Sequence, residues 1–331
     1  MPARVISATD DRGRDARRGS LCNAWGVALV ALFAATAGAQ QPAAPAQGGA
    51  EWEATQRALG GKGAMQPGNV LKFSFPRTDL QVTVDGVPVK PGFALGSWVA
   101  FKRIGSGASA MAMGDLVLTE SEVGPVMVAL QRGGVEQTAV HNHLLMESPR
   151  VMYMHIAANG DPAKIAATIR DALSGTGTPM PDASTAAAPG AAPVPGAIDI
   201  DTAAIAAALG APGKVNGGVY QVTFARRARV MDRGMEVPPS MGVATAINFQ
   251  PTGNGKAAIT GDFVLIASEV NPVIRALREH GIMVTALHSH MLDEQPRLLF
   301  MHFWANDDAA TLARGLAAAL DRMAVKRTGG R

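Results

Sequence analysis

An internal repeat constrains this chain more than any other feature. Residues 110–173 and 257–320 align without a gap at an offset of 147, and 30 of the 64 positions are identical. Gly114-Asp115 matches Gly261-Asp262, and Ser121-Glu122-Val123 with Pro125 matches Ser268-Glu269-Val270 with Pro272. The stretch "HNHLLMESPRVMYMH" (141–155) matches "HSHMLDEQPRLLFMH" (288–302). Upstream, "ALGGKGAMQPG" from Ala58 parallels "ALGAPGKVNGG" from Ala208, and "VLKFSF" parallels "VYQVTF". A period this long is a whole domain duplicated in tandem, not a stack of short solenoid repeats.

The flanking segments complete the layout. Residues 1–39 read as an export signal. Arg12, Arg14, Arg17 and Arg18 precede an apolar run from Trp25 to Ala35, and Ala37-Gly38-Ala39 offers a small-x-small cleavage site. The apolar run is shorter than the ~18 residues a spanning helix needs, so no transmembrane segment is expected in the mature chain. Residues 40–51 read as a disordered tail, 52–173 as the first repeat unit, 174–196 as an Ala/Pro/Gly-rich linker, and 197–325 as the second unit. Loss of the leader removes five Arg and three Asp, so the net charge falls from +3 to +1 and an electrostatic case for nucleic acid disappears. It also removes Cys22, the only cysteine, which excludes thiol catalysis, thiolate ligation and disulfides from the mature protein. The expected location is periplasmic or secreted.

Within one unit, Trp52 to Leu59 predicts a short helix. "VLKFSF", 79–84, Gly96–Ile104 and Ala110–Leu118 predict strands. Ser121 is placed to cap a helix running to about Gln131 and ended by Gly133-Gly134. Val135–Leu144 and Arg150–Ala157 predict a β-hairpin around Glu147-Ser148-Pro149, and Asp161–Leu173 a closing Ala-rich helix. Strands and helices mix without strict alternation. The expected class is α+β: two homologous units, each a largely antiparallel sheet with packed helices.

Six of the seven histidines fall in the matched blocks: His141, His143 and His155, then His288, His290 and His302. Residues two apart in a strand share a face, so His141 and His143 project together. A hairpin centred near Ser148 sets His155 across from His141, with Glu147 at the turn. Each unit is thus expected to offer three imidazoles and a carboxylate, the second through His288, His290, Glu294 and His302. Fewer than half of the aligned positions are identical, yet all three His, the Glu and the Pro-Arg pair match. Imidazole with carboxylate suits a divalent transition metal, Zn foremost, with Mn, Fe, Ni and Cu compatible. The spacing H-x-H-x-x-x-E is similar to the first metal motif of cupins. Met154 stands where the cupin glycine falls, so the likeness is one of ligand logic, not of fold.

Other groups qualify the site. Arg150 and Arg297 beside the turn are placed either to hold an anion or to form a structural ion pair. Asp115 and Asp262 are placed to orient a ligand histidine or to make a local hydrogen bond. Glu122 and Glu269, in a first helical turn, are expected to serve the helix alone. Met154 and Met301 adjoin a histidine in a strand and therefore face the core. On the register above, Tyr153 lies opposite His143, where its hydroxyl could meet a metal-bound water or substrate; Phe300 in the second unit could not.

The blocks "GDLVLTESEVGPVMVALQRGGVEQTAVHNHLLMESPRVMYMHIAANGD" and "GDFVLIASEVNPVIRALREHGIMVTALHSHMLDEQPRLLFMHFWANDD" resemble the LppY/LpqO family of exported bacterial proteins, a domain of unknown function. The resemblance spans about Trp52 to Met323. It implies export and the two-unit build, and it supplies no reaction. The chain departs from the family's lipoprotein members in having no lipobox cysteine.

Together these readings describe an exported protein with a divalent metal site in each of two repeats, serving either a metal-dependent enzyme or a metal carrier. The alternative is a non-metal binding module for a small anionic or cell-envelope ligand, gripped by histidine and arginine.

Overall fold

Residues 110–119 are buried along both faces of a strand, a pattern that requires a layer on each side. The architecture supplies both. A computed structural model describes residues 49–180 and 198–327. The expected leader, most of the tail and most of the linker lie outside the described residues. At the tail's end, Ala50–Trp52 forms a 3-10 turn with Trp52 buried. At the linker's start, the Gly177 N–H donates to Glu122 at 2.8 Å, so this end lies against the first unit.

The first unit runs α1 (Glu53–Leu59), β1 (Ala64–Gln66), β2 (Val70–Pro76), β3 (Thr83–Val84), β4 (Val87–Pro88), α2 (Pro91–Ala94), β5 (Gly96–Arg103), β6 (Ala110–Thr119), α3 (Glu120–Arg132), β7 (Glu136–His141), β8 (Glu147–Ser148), β9 (Val151–Gly160) and α4 (Pro162–Ser174). The second runs α5 (Thr202–Leu209), β10 (Lys214–Asn216), β11 (Val219–Ala225), β12 (Val230–Asp232), β13 (Met235–Val237), β14 (Ala244–Gly253), β15 (Lys256–Leu265), α6 (Ala267–Glu279), β16 (Met283–His288), β17 (Glu294–Gln295), β18 (Leu299–Asp308) and α7 (Ala309–Leu320). Each unit builds one six-stranded antiparallel sheet, in the orders β1-β2-β5-β6-β9-β7 and β10-β11-β14-β15-β18-β16. Small three-stranded sheets, β4-β3-β8 and β13-β12-β17, flank them. The α+β class with two homologous units is what the structure shows.

Alternation along the strands sorts side chains between two kinds of core. Leu71, Phe73, Phe101, Ala112 and Leu116 pack under Leu59, Leu130 and Ile169 of the helices. Ala100, Met111 and Met113 point the other way and meet Val243, Val264, Met291 and Phe300 of the second unit. Val117 and Tyr153 likewise meet Val219, Ala258 and Trp304. The two sheets therefore face each other, with helices on both outer sides and the shared core between them.

Local chemistry fixes the ends. Asp161 caps α4 by accepting from the Ala163 and Lys164 N–H groups, with Pro162 in the first turn. The cap of α3 is Thr119, two residues before the expected Ser121, because Glu122 accepts from the Thr119 N–H. The strand expected over 79–84 is only Thr83–Val84. The expected hairpin partners do pair, as β7 with β9, but His141 faces Tyr153, and His155 faces Ala139. The turn centres on Glu147, not Ser148, and a bulge at Thr138 shifts the register further.

Candidate metal centre

The bulges position the centre. β7 is irregular between Gln137 and Ala139, and β16 between Val284 and Ala286. The intervening threonines reach across to the opposite unit. Thr138 Oγ1 donates to the His290 carbonyl and Thr285 Oγ1 to the His143 carbonyl, each at 2.6 Å. Thr285 is Thr138 plus 147, and His290 is His143 plus 147, so the two bonds are one contact repeated by pseudo-two-fold symmetry.

That symmetry gathers all six histidines of the repeat between the sheets. His141 stacks on its own counterpart His288, with ring centroids 3.5 Å apart. His143 stacks on His302 at 3.7 Å, and the equivalent pair, His290 on His155, lies at 3.6 Å. The outer faces are closed by Tyr153 on His143 at 3.3 Å and Phe300 on His290 at 3.4 Å. The two expected sites are thus one cluster, built jointly by both units.

The ring nitrogens are not equivalent. Nδ1 of His141, His288 and His302 lies 3.1, 3.4 and 2.9 Å from the carbonyls of Asn142, Ser289 and Gly261. A carbonyl only accepts, so in these neutral rings Nδ1 carries the proton and Nε2 keeps a lone pair. Nε2 of all six histidines is buried without a hydrogen-bond partner, and so is Oδ1 of Asp115 and of Asp262. Each buried orphan costs about 1–3 kcal/mol. Asp115 Oδ1 lies 3.8 Å from His155 Nε2, and Asp262 Oδ1 only 3.1 Å from His302 Nε2. At His302 a lone pair therefore faces a carboxylate oxygen, an arrangement that calls for a cation or a proton between them.

Among the described residues, three groups have ligand atoms within 4.8 Å of one another: His141, His143 and His155; His141, His288 and His290; and Asp262, His290 and His302. Such buried His and Asp groups could hold a metal ion. Asp115 and Asp262 owe their places to the sheet, since Asp115 pairs with His155 and Asp262 with His302 across adjacent strands. The glycine before each acid is a close-approach requirement. A Cβ on Gly261 would fall 1.9 Å from the Ala246 carbonyl, and one on Gly114 would lie 2.8 Å from that of Trp98.

Burial dominates the electrostatics. It lowers His141 to about 4 and His288 to about 3, and it drives His143, His155, His290 and His302 well below the ordinary imidazole value. It raises Asp262 to about 7, and it raises Asp115 well above the carboxylate range, with Asp262 adding to the push. The rings are neutral at physiological pH, the form a metal needs.

Other expected residues lie elsewhere. Glu147 and Glu294 do not join the histidine groups, because β8 and β17 pair with the small flanking sheets. Glu294 is spent on the Leu298 N–H at 2.8 Å and on Arg297 at 3.3 Å. Arg297 also donates to the Leu292 carbonyl, and Arg150 stands exposed, 3.7 Å from Glu120. The Tyr153 hydroxyl does not face the ligands. It donates to the Ala94 carbonyl at 2.9 Å, and only the ring touches His143. Met154 and Met301 are buried on the helix side of their sheets. Glu122 and Glu269 do more than serve a helix end, since each also receives a buried arginine, Arg77 or Arg226. Those arginines, and the bulge threonines, have a sequence signal in their identity between the repeats.

Fold and site together define a tandem α+β protein with a shared histidine centre. Residues 53–175 and 203–322 match the family model described as Domain of Unknown Function (DUF1259), and the chain belongs to that family. No curated protein matches it. Among solved structures it is similar to the trimeric bacterial microcompartment shell protein PduB, at 14% identity over 76% of this chain and 86% of that one, with a TM-score of 0.17. It is also similar to EtuB from Clostridium kluyveri, at 9% identity over 78% and 87%, with a TM-score of 0.18. Scores this low carry no argument about fold or role. No helix among the described residues is long and apolar enough to cross a membrane.

Proposed function

We propose that this protein binds divalent transition-metal ions at the centre between its two units, up to two per chain. The carrying observation is the convergence of eight buried candidate ligand atoms, six Nε2 and two Oδ1, without hydrogen-bond partners. Two of the ligand groups, His141 with His143 and His155, and Asp262 with His290 and His302, share no residue, so both can be filled at once. Nitrogen and oxygen donors without sulfur suit Zn first, and also Mn, Fe, Ni or Cu.

An anion-binding module fits less well. At His141, His288 and His302 the Nδ1 hydrogen already goes to a carbonyl, which leaves an anion only a lone pair. The signal-like residues 1–39 support a periplasmic or secreted location, and the repeat blocks support kinship with the LppY/LpqO proteins. Elemental analysis and calorimetric titration of the purified protein test the reading. The expected result is up to two ions per chain, with the double variant His143→Ala/His290→Ala losing them. If none of Zn, Mn, Fe, Ni or Cu binds more tightly to the parent than to that variant, the reading is wrong.

A further inference from the structure

Two of the candidate ligands lie where no strand ladder holds them. β7 ends at His141 and β16 at His288, so His143 and His290 sit in the turns that follow, ahead of β8 and β17. A turn is a looser platform than a strand for a group that must hold its geometry to about 0.5 Å. The hydrogen bond to each of these histidine carbonyls comes from the other unit. Thr285 Oγ1 donates to the His143 carbonyl and Thr138 Oγ1 to the His290 carbonyl, each at 2.6 Å, short for a hydroxyl donor.

The bulges allow this reach. An extra residue in a strand drops out of the ladder and re-aims its side chain. Thr138 and Thr285 are those residues, between Gln137 and Ala139 and between Val284 and Ala286. The rings of the same two histidines also lie on the opposite unit, His143 on His302 at 3.7 Å and His290 on His155 at 3.6 Å. Each is thus fixed to the other unit at its carbonyl and at its ring. A bond that only knitted the units together could end on any carbonyl of the interface. Both of these end on a residue whose Nε2 is a buried, unpartnered candidate ligand atom.

We propose that Thr138 and Thr285 are positioning residues that act across the unit boundary. Thr285 of the second unit sets His143 for an ion held with His141 and His155, and Thr138 of the first sets His290 for an ion held with Asp262 and His302. The proposal rests on the metal reading and adds that each unit aligns a ligand of the other's ion.

Calorimetric zinc titration of the full chain tests it, with cobalt(II) absorption spectra reporting ligand geometry. Two backgrounds isolate the ions. Of the three ligand groups among the described residues, His290→Ala leaves only His141 with His143 and His155, and His141→Ala leaves only Asp262 with His290 and His302. The substituted residues keep their carbonyls, so both threonine bonds survive in both backgrounds. With His290→Ala, Thr285→Val should weaken zinc about tenfold or more and change the cobalt spectrum, whereas Thr138→Val should cost less than about threefold. With His141→Ala the two valines should exchange effects. Valine keeps the volume and removes the donor, so Thr285→Ser and Thr138→Ser should restore binding. In the chain with all six histidines of the cluster, each valine should weaken one ion and spare the other, so the pattern is readable even if a background binds poorly. If the parent takes up no ion, the metal reading falls and this proposal with it. If the parent binds and the valines act on their own unit's ion, on both alike or on neither, the proposal alone is overturned.

Discussion

His141 and His288 occupy equivalent positions in the two repeats, and their rings stack on each other at 3.5 Å. The pseudo-two-fold axis therefore passes between them, and one ligand group, His141 with His288 and His290, draws on both units. His141 belongs to two of the three ligand groups, one of them with His288 and His290. It follows that His141→Ala should reduce metal binding in the first unit directly and, through the group it shares with His288 and His290, in the second as well. Each of His141→Ala and His288→Ala is expected to weaken affinity at least tenfold, and the double variant should lose less than the sum of the two free energies, since residues in contact couple. Titration of the four proteins checks this. Additive losses, or loss of one ion with the other unaffected, would show two independent sites.

Acid should destabilise the metal-free protein. Imidazoles of the unfolded chain take up protons near 6.5, whereas His141 and His288 are held at about 4 and about 3 in the folded one, and the other four lower than usual. As pH falls through that window the unfolded state binds more protons, and stability drops by about 1.4 kcal/mol per pH unit for each net proton. The raised carboxyls Asp115, Asp262, Glu147 and Glu294 act oppositely, because the folded chain keeps their protons longer. Six imidazoles outweigh four carboxyls once the unfolded histidines are mostly charged, below about pH 6. The thermal midpoint of chelator-treated protein should therefore fall from pH 6 to 4.5. A flat or rising midpoint would show that the rings are not buried neutral.

Much of this was legible in the sequence, for identifiable reasons. The repeat, the α+β class and the six histidines are local or periodic signals, and His141 and His143 do fall in one ligand group, although His143 lies beyond the end of β7. What failed depended on pairing over distance. The turn's centre and the bulges at Thr138 and Thr285 set the register, and neither has a composition signature. That slip moved Tyr153 from His143 to His141 across the strands. Glu147 and Glu294 left the ligand set for the same kind of reason: their short strands join other sheets. The merger of two triads into one centre is a docking event, and a duplication shows only that both partners exist.

Tyr153 separates structure from chemistry in the first unit. Its hydroxyl donates to the Ala94 carbonyl, and the ring alone meets His143. Tyr153→Phe reproduces the second unit's Phe300. It should lower stability by about 1 kcal/mol through the lost buried bond and leave metal stoichiometry and affinity unchanged. Denaturant unfolding and metal titration check the two halves of that statement. A drop in affinity with no drop in stability would return the hydroxyl to the ligand side.

One buried arginine joins strand to helix in each unit, and the pair sets the last expectation. Arg226 donates to the Val264 carbonyl and to Glu269 at 2.7 Å each, and Glu269 in turn accepts from the Ile266 and Ala324 N–H groups. Arg77 does the same with Val117 and Glu122, at 2.7 and 2.8 Å. Hydrogen bonding to the arginine and to backbone N–H groups holds Glu122 and Glu269 below the ordinary carboxylate value despite burial. Removing one partner strands the other charge, which costs about 3–5 kcal/mol. Arg226→Met should therefore destabilise the protein by that amount. Arg226→Met combined with Glu269→Gln should recover part of it, because the uncompensated charge is gone. Arg77→Met should cost at least as much, since it strands Asp79 as well as Glu122. Denaturant midpoints of the three proteins decide the matter. If the double variant is no more stable than Arg226→Met alone, the arginine contributes through packing and not through the charge it neutralises.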